Sequence, residues 1–247
     1  MTAQLRSELL KQRSTRTNLG LVSAMLGLVV LVVLLHGFAL PAKDAGRGSV
    51  QLKEMFGRGE MLGALFAALL GALSITGEFR HGTIRPTFLT TPRRGRVVAA
   101  KVWASMLIGI TFGLIATAVA AGVGSAALAA RGIPIQLDAG DYIVLVAGGA
   151  AAAALWAAIG VGLGAVVRNQ VPTAVGLCAW LLFVEGLLVG DAGSLGDIGR
   201  FLPGALGNAA SGQEPQLAPA FAVALLALYA AAAAVAGQLT TTRRDLA

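Results

Sequence analysis

Few residues in this chain have the chemistry for catalysis or metal binding, and they are scattered. The two histidines, His36 and His81, are far apart in sequence, which argues against a shared metal site. Cys178 is the single cysteine, so neither a disulfide framework nor a CxxC pair can form. The sequence contains no H-E-x-x-H, no G-x-S-x-G and no G-x-x-x-x-G-K-[ST] phosphate-binding loop. We therefore expect the chain not to be an enzyme and to have no means of its own for holding the phosphates of ATP.

Glu185 is the one acidic residue inside a long apolar stretch. A charged side chain at the bilayer centre costs about 2.5–3.5 kcal/mol on insertion scales, so Glu185 is expected to face protein or water. In one interpretation it lines a translocation path and contacts a cationic or polar substrate. In the other, the apolar stretch ends early and Glu185 lies near the outer interface, which the following Gly186, Gly190 and Asp191 favour.

The arginine-rich segment 78–96 is too polar to span a membrane and too apolar to be a simple loop. Thr83 is a suitable helix N-cap, and Pro86 then falls in the first turn, where backbone N–H groups have no intrahelical partner. Pro92 and Gly95 end the helix before the next one begins. The pattern predicts a helix of two turns at the membrane surface.

This predicted helix is amphipathic. Ile84, Phe88 and Leu89 share one face, because residues four and five apart lie close together around a helix. An exposed apolar patch with arginine on its flanks is typical of a docking surface. Insertion of the patch into the lipid headgroup layer is the alternative.

Composition places these residues in a membrane protein. Hydrophobic residues make up 56% of the 247 residues and charged residues only 13%, and the mean hydropathy is +0.77. Soluble domains carry about 25% charged residues. The apolar residues form blocks long enough to cross a bilayer, which needs about 20 residues. We predict an all-α polytopic membrane protein of one domain, 1–247, with six spans at 19–40, 61–77, 102–130, 142–167, 171–190 and 217–238.

The distribution of charge predicts the orientation. With the N-terminus in the cytoplasm, 13 of the 19 lysines and arginines lie on the cytoplasmic side and only six lie outside. Short cytoplasmic loops of membrane proteins carry this excess of basic residues. Both termini are therefore predicted to be cytoplasmic. The net charge of +7 is explained by topology and by attraction to anionic lipid headgroups rather than by nucleic-acid binding.

Segments outside the spans are also predicted to be helical. The stretch 1–13 places Leu5 and Leu9 on one face with basic neighbours, which predicts a short helix on the inner leaflet; a frayed cationic tail is the alternative. The outer segment 191–216 contains an apolar run broken at Pro203. It is predicted to form short re-entrant or interfacial helices that cover the exit, or else an ordinary loop.

Glycines four residues apart recur in three predicted spans, as Gly109/Gly113, Gly160/Gly164 and Gly186/Gly190. Such spacing permits close approach of two helices. In so glycine-rich a chain each pair is weak evidence for an interface.

The segment between spans two and three resembles that of type 2 ATP-binding-cassette (ABC) permeases. The matching residues are Glu78-Phe79-Arg80, Gly82-Thr83-Ile84, Leu89-Thr90-Thr91-Pro92 and Lys101. The opening residues 7–17 and the run 201–204 before the last span are also similar to bacterial members. Pro86 departs from the pattern, where a helix-forming residue is more usual, and shifts the expected helix start.

This resemblance implies a coupling helix that sits in a cleft of a separate ATPase subunit. Glu78, near the membrane boundary, is expected to pair with a nearby arginine or with ATPase groups. The residues that the resemblance assigns to ATPase coupling are Glu78, Phe79, Arg80, Gly82, Thr83, Ile84, Arg85, Phe88, Leu89, Arg93 and Arg94. The resemblance further implies a bacterial inner-membrane exporter of two permease copies, identical or similar, with two ATPase subunits that bind ATP and Mg²⁺. The path between the copies is expected to be lined by spans two and five.

Other classes of membrane protein fit the sequence less well. A membrane enzyme needs polar catalytic residues clustered at one depth, which the spans lack. A secondary transporter needs intramembrane ionisable groups and often internal repeats, whereas only Glu185 is available. A membrane scaffold or immunity protein with the same fold but without transport stays open.

Overall fold

The computed structural model describes residues 2–39, 49–83, 94–135, 137–189, 196–214 and 216–243. Within them the chain is helical throughout, and no strand occurs in these ranges. The helices are α1 (Thr2–Ser14), α2 (Arg16–Ala39), α3 (Ser49–Arg80), α4 (Arg94–Ala130), α5 (Ala139–Val167), α6 (Gln170–Ala179), α7 (Glu185–Val189), α8 (Pro203–Ala210) and α9 (Pro219–Arg243). A π-helical stretch, Trp180–Val184, joins α6 to α7, and a 3₁₀ helix, Gly196–Phe201, precedes α8.

Six helical segments of the described chain are long and apolar enough to cross a membrane, which confirms the predicted all-α fold with six spans. These segments are Arg16–Ala39, Leu52–Arg80, Gly95–Ala130, Ala139–Val167, Gln170–Leu188 and Pro219–Thr242. The fifth continues from α6 through the π-helical stretch into α7.

The second span differs most from its predicted bounds. The sequence analysis took two charged residues, Glu60 and Glu78, as its boundaries. In the structure, α3 begins at Ser49 and ends at Arg80. The extension follows from Leu52, Met55 and Phe56, which are fully buried against the other helices. Both acids therefore lie inside the helix.

The core is built around α3 and α5, which are the most buried of the six spans. Two close approaches bring their backbones together: a Cβ added at Gly71 of α3 would overlap the carbonyl oxygen of Ala157, and one added at Gly160 of α5 would overlap that of Ala68. Small residues in such positions let membrane helices pack by backbone contact. α4 packs beside both helices, α2 packs on α3 and α4, and α9 packs on α5.

Two of the three predicted glycine pairs lie at contacts between helices. Gly109 and Gly113 of α4 face the backbone of α5, and Gly160 and Gly164 of α5 face α3. These two pairs mark helix interfaces, as their spacing suggested. Gly186 has open space where its side chain would be.

Local capping fixes the ends of α5 and α6. Asp138 and Asp141 form a reciprocal capping box at the start of α5, where Oδ1 of Asp138 accepts a 2.8 Å hydrogen bond from the Asp141 N–H. Arg168 ends α5 in the left-handed conformation, with φ of 59°, and Asn169 caps α6 through its side-chain oxygen. A linker of only two residues therefore reverses the chain between the fourth and fifth spans.

Candidate functional site

The candidate site is the end of the bundle where α3 meets the predicted coupling segment. After Arg80 the chain turns, and Gly82 adopts a positive φ of 69°, the left-handed geometry that favours glycine at a helix C-terminus. Gly82 thus ends α3. The predicted coupling residues Ile84, Arg85, Phe88, Leu89 and Arg93 lie outside the described residues, as does the side chain of Arg94. The coupling helix stays a prediction.

Four charged side chains meet at the root of this segment, and we call them the ion cluster: Glu8, Lys11, Glu78 and Lys101. Nζ of Lys101 lies 2.7 Å from Glu8 Oε2 and 2.8 Å from Glu78 Oε1. Nζ of Lys11 lies 2.9 Å from Glu8 Oε1 and 3.1 Å from Glu78 Oε1. The Lys101 side chain is only 1% exposed, so its charge depends on these carboxylates rather than on water.

The pKa values of Glu8 and Lys11, the two residues of the ion cluster that lie on α1, reflect this pairing. Burial alone would raise the pKa of Glu8, but the charges and hydrogen bonds of Lys101 and Lys11 outweigh it and lower that pKa below its ordinary value. Burial alone would lower the pKa of Lys11, but Glu8 and Glu78 outweigh it and raise that pKa. Both shifts favour the charged forms at neutral pH.

A short polar network continues from the ion cluster between the helices. Nζ of Lys101 also donates to the backbone carbonyl of Ser74, at 3.3 Å. Gln12 Nε2 donates to Ser105 Oγ at 3.0 Å, and Ser105 in turn lies 3.5 Å from Ser74 Oγ. These bonds join α1, α3 and α4 into one unit.

This network changes the interpretation of α1. The predicted N-terminal helix is present, and its buried residues are Glu8 and Gln12, while Leu5 and Leu9 are partly exposed. Leu10 is 62% exposed. α1 is therefore held to the bundle through its polar face.

A second set of contacts holds the end of α3 to the turn between α5 and α6. The guanidinium carbon of Arg168 lies 5.3 Å from the centroid of the Phe79 ring, within the range of a cation–π contact. Arg168 also donates a 2.9 Å hydrogen bond to the carbonyl oxygen of Thr240 in α9. Arg80 donates to Oε1 of Gln170 at 3.2 Å. Phe79 and Arg80, both predicted coupling residues, are thus attached to the last three spans.

A cavity of about 740 Å³ opens beside the ion cluster. Its lining includes Leu70 and Leu73 of α3 and Gln170 of α6. The polar lining residues are Glu8, Lys11, Gln12, Thr15, Thr17, Asn18, Ser74, Glu78, Arg80, His81, Thr83, Lys101 and Gln170. The cavity is therefore amphipathic, and it lies between α1 and the first, second, third and fifth spans.

Glu185, the predicted path residue, lies far along the chain from this cavity and does not line it. Its side chain is buried, and its two carboxylate oxygens accept hydrogen bonds of 2.9 and 2.5 Å from the N–H groups of Gly204 and Ala205. It thus caps α8, where the helix dipole favours an anion. These bonds account for its burial without a substrate, and its role in a path stays a prediction.

Sequence reasoning missed the ion-cluster role of Glu8 and Lys11 and the burial of Glu60. The signal for Glu60 was present in the apolar spacing of Leu52, Met55 and Phe56, which continues the helix toward its N-terminus. Pairing of Glu8 with Lys101 carried no local signal, because 93 residues separate them. Among the described residues, no group of three or more His, Cys, Asp or Glu is placed to hold a metal ion.

Comparison with known proteins agrees with this architecture. The sequence-family model described as ABC-2 family transporter protein matches residues 10–195 of this chain. The matched region includes the end of α1, five of the six spans and the whole segment 78–96. No curated protein matches the chain. Members of this family are membrane components that generally work with ABC ATPase subunits. The chain belongs to the ABC-2 transporter family.

Proposed function

We propose that this chain is the permease subunit of an ATP-driven exporter whose segment 78–96 docks on a separate ABC ATPase. The observation that carries the proposal is the family match, which runs unbroken through that segment and the spans on either side of it. The chain has no phosphate-binding loop of its own, so ATP and Mg²⁺ are bound by the ATPase. Export rather than import rests on resemblance to the type 2 exporters.

The contacts at the root of segment 78–96 support a coupling role. Glu78 joins it to α1 and α4 through the ion cluster, and Phe79 and Arg80 join it to the turn at 168–170. A push from the ATPase on this segment is therefore passed directly to several helices, rather than absorbed in a loose loop. ATP-driven movement of this kind shifts the spans between inward-facing and outward-facing arrangements.

The translocation path is proposed to run between two copies of this chain, or between this chain and a similar one. Spans one, five and six are the least covered by other helices within one copy. Only 17%, 22% and 22% of the residues in their most apolar stretches are buried, whereas the values are 67% and 72% for spans two and four. The 740 Å³ cavity is lined by spans one, two and five, with Lys101 of span three and residues of α1. A second copy placed against these spans would enclose the cavity as an entry chamber from the cytoplasm.

The chemistry of the cavity suits an amphipathic substrate. Two leucines line its apolar part, while amides, hydroxyls, the ion cluster and the Arg80 and His81 side chains line its polar part. Glu185 is proposed as a later contact on the same path. That role requires its hydrogen bonds to Gly204 and Ala205 to open during transport.

Co-purification tests the docking of segment 78–96. The chain is co-expressed with a candidate ABC ATPase subunit from the same genome, and the complex is captured from detergent-solubilised membranes through a tag on the ATPase. Phe88→Asp is expected to abolish recovery of the permease, because a carboxylate on the apolar docking face is not compensated in a hydrophobic cleft. The variant is expected to reach the membrane in normal amounts.

Thr90→Asp is the matched control, because it adds the same charge on the opposite face of the predicted helix. It is expected to leave at least half of the complex intact. Equal recovery of Phe88→Asp and wild type from the ATPase would refute the docking assignment.

A further inference from the structure

Glu60 is an acidic residue that the proposed function does not use. It lies in α3, 18 residues before Glu78, which places it about 27 Å along the helix from the ion cluster. Its side chain is 2% exposed, and Oε2 has no hydrogen-bond partner among the described residues. An isolated, buried carboxyl group of this kind requires an explanation.

The carboxyl of Glu60 packs against the backbone of α8. A Cβ added at Gly207 would lie 2.5 Å from Oε1 of Glu60, so the carboxyl would have to shift if another residue replaced this glycine. The Glu60 side chain also forms a hydrogen bond with Gln213, just after α8. The same short helix is therefore held by two acids: Glu185 at its first N–H groups and Glu60 one turn further on.

No cation in the described part of the chain lies within ion-pair distance of Glu60 or Glu185. Three helices pack around Glu60, and the residues near it on each of them are uncharged. These residues are Thr117 on α4, Gly149 on α5 and Gly207 on α8. The nearest charged group on this short helix is Glu185, whose carboxyl binds the N–H groups of Gly204 and Ala205 while Glu60 packs on Gly207. This contrasts with the opposite end of α3, where Glu78 is paired with two lysines.

Two buried carboxylates without a cation are not stable together, since each is costly to bury ionised and they repel each other. Glu185 receives two N–H donors at a helix N-terminus, an arrangement that stabilises an anion. Oε2 of Glu60 receives none. It is also almost completely inaccessible to solvent, whereas a metal ion needs several oxygen ligands around it. The species that fits at Glu60 is a proton.

We propose that Glu60 is a proton-binding site that holds the segment 203–214 against α3. The neutral carboxyl packs on Gly207 and bonds Gln213 while the segment is in place. If the segment moves away, water reaches Glu60 and the proton leaves; its return requires a proton to be taken up again. Closure of this end of the protein is thereby linked to the binding of one proton. This inference concerns the chain itself and does not depend on an ATPase or on a transported substrate.

Difference infrared spectroscopy tests the proposal on the full chain purified in lipid nanodiscs. At pH 7 the spectrum of wild type minus Glu60→Gln is expected to show the carbonyl band of one protonated carboxylic acid. Glu54→Gln is the matched control, because Glu54 lies on the same helix but is exposed. The difference between wild type and Glu54→Gln is expected to lack that band.

The stability of Glu60→Gln also tests whether Glu60 is protonated. Glutamine has the shape and neutrality of a protonated glutamate, so Glu60→Gln is expected to insert and to unfold within a few degrees of wild type. Failure of Glu60→Gln to fold would overturn the proposal, because it would show that the ionised form is required. Absence of the band from the Glu60→Gln difference spectrum would overturn it as well.

Discussion

Replacing Lys101 with methionine is expected to lower the free energy of unfolding by about 3–5 kcal/mol, the usual cost of removing one partner from a buried ion pair. Methionine fills much the same space but leaves Glu8 and Glu78 with Lys11 alone, which is half exposed. The buried carboxylate of Glu8 and the partly buried one of Glu78 then share one cation at the junction of α1, α3 and α4. The midpoint of denaturant-induced unfolding, followed by fluorescence in mixed micelles, measures the loss.

Arg96→Met is the matched control for Lys101→Met. Arg96 lies on the same helix, five residues earlier, and its side chain is exposed. Its replacement is expected to change the free energy of unfolding by no more than about 0.5 kcal/mol. Equal losses for the two variants would show that the ion cluster does not hold these helices together.

Gly160→Val is expected to be the most disruptive change in the apolar core. A Cβ at this position would overlap the carbonyl oxygen of Ala68, and a backbone atom cannot rotate out of the way. α3 and α5 must then separate along the contact that also contains Gly71. Overpacking typically costs about 1–3 kcal/mol, and more is expected here because two backbones are forced apart. Thermal unfolding of the purified chain measures the effect.

Gly122→Val is the control, since Gly122 has open space around its Cβ position. It is expected to unfold at nearly the wild-type temperature, because valine is well tolerated on a lipid-facing helix. Similar behaviour of the two variants would contradict the backbone contact between α3 and α5.

The six spans were predictable because each depends on a long apolar stretch, which is a local property of the sequence. The second span was predicted too short, because Glu60 was taken as its boundary. An acidic residue marks the end of a span only if it is exposed, and burial of Glu60 depends on contacts with α5 and α8 that the sequence does not display. The Leu52, Met55 and Phe56 spacing was the local signal for the longer helix.

The candidate site was predictable only in part. The resemblance drew attention to Glu78, whose partner was expected to be a nearby arginine or the ATPase. Its partners are instead Lys11 and Lys101, which lie 67 and 23 residues away in sequence. Such pairing is decided by how α1, α3 and α4 pack, and periodicity within one helix carries no information about it. The same reason explains why the burial of Glu8 on α1 was not predicted.

The account depends most on segment 78–96 facing the cytosol, where an ATPase can reach it. A single cysteine placed at Thr87, in a chain with Cys178→Ala, reports this directly through a membrane-impermeant maleimide. We predict labelling in inverted membrane vesicles and none in right-side-out vesicles, with the reverse for a cysteine at Ser194 in the predicted outer segment. Labelling of the Thr87 cysteine only from the outer face would contradict the orientation and the coupling role together.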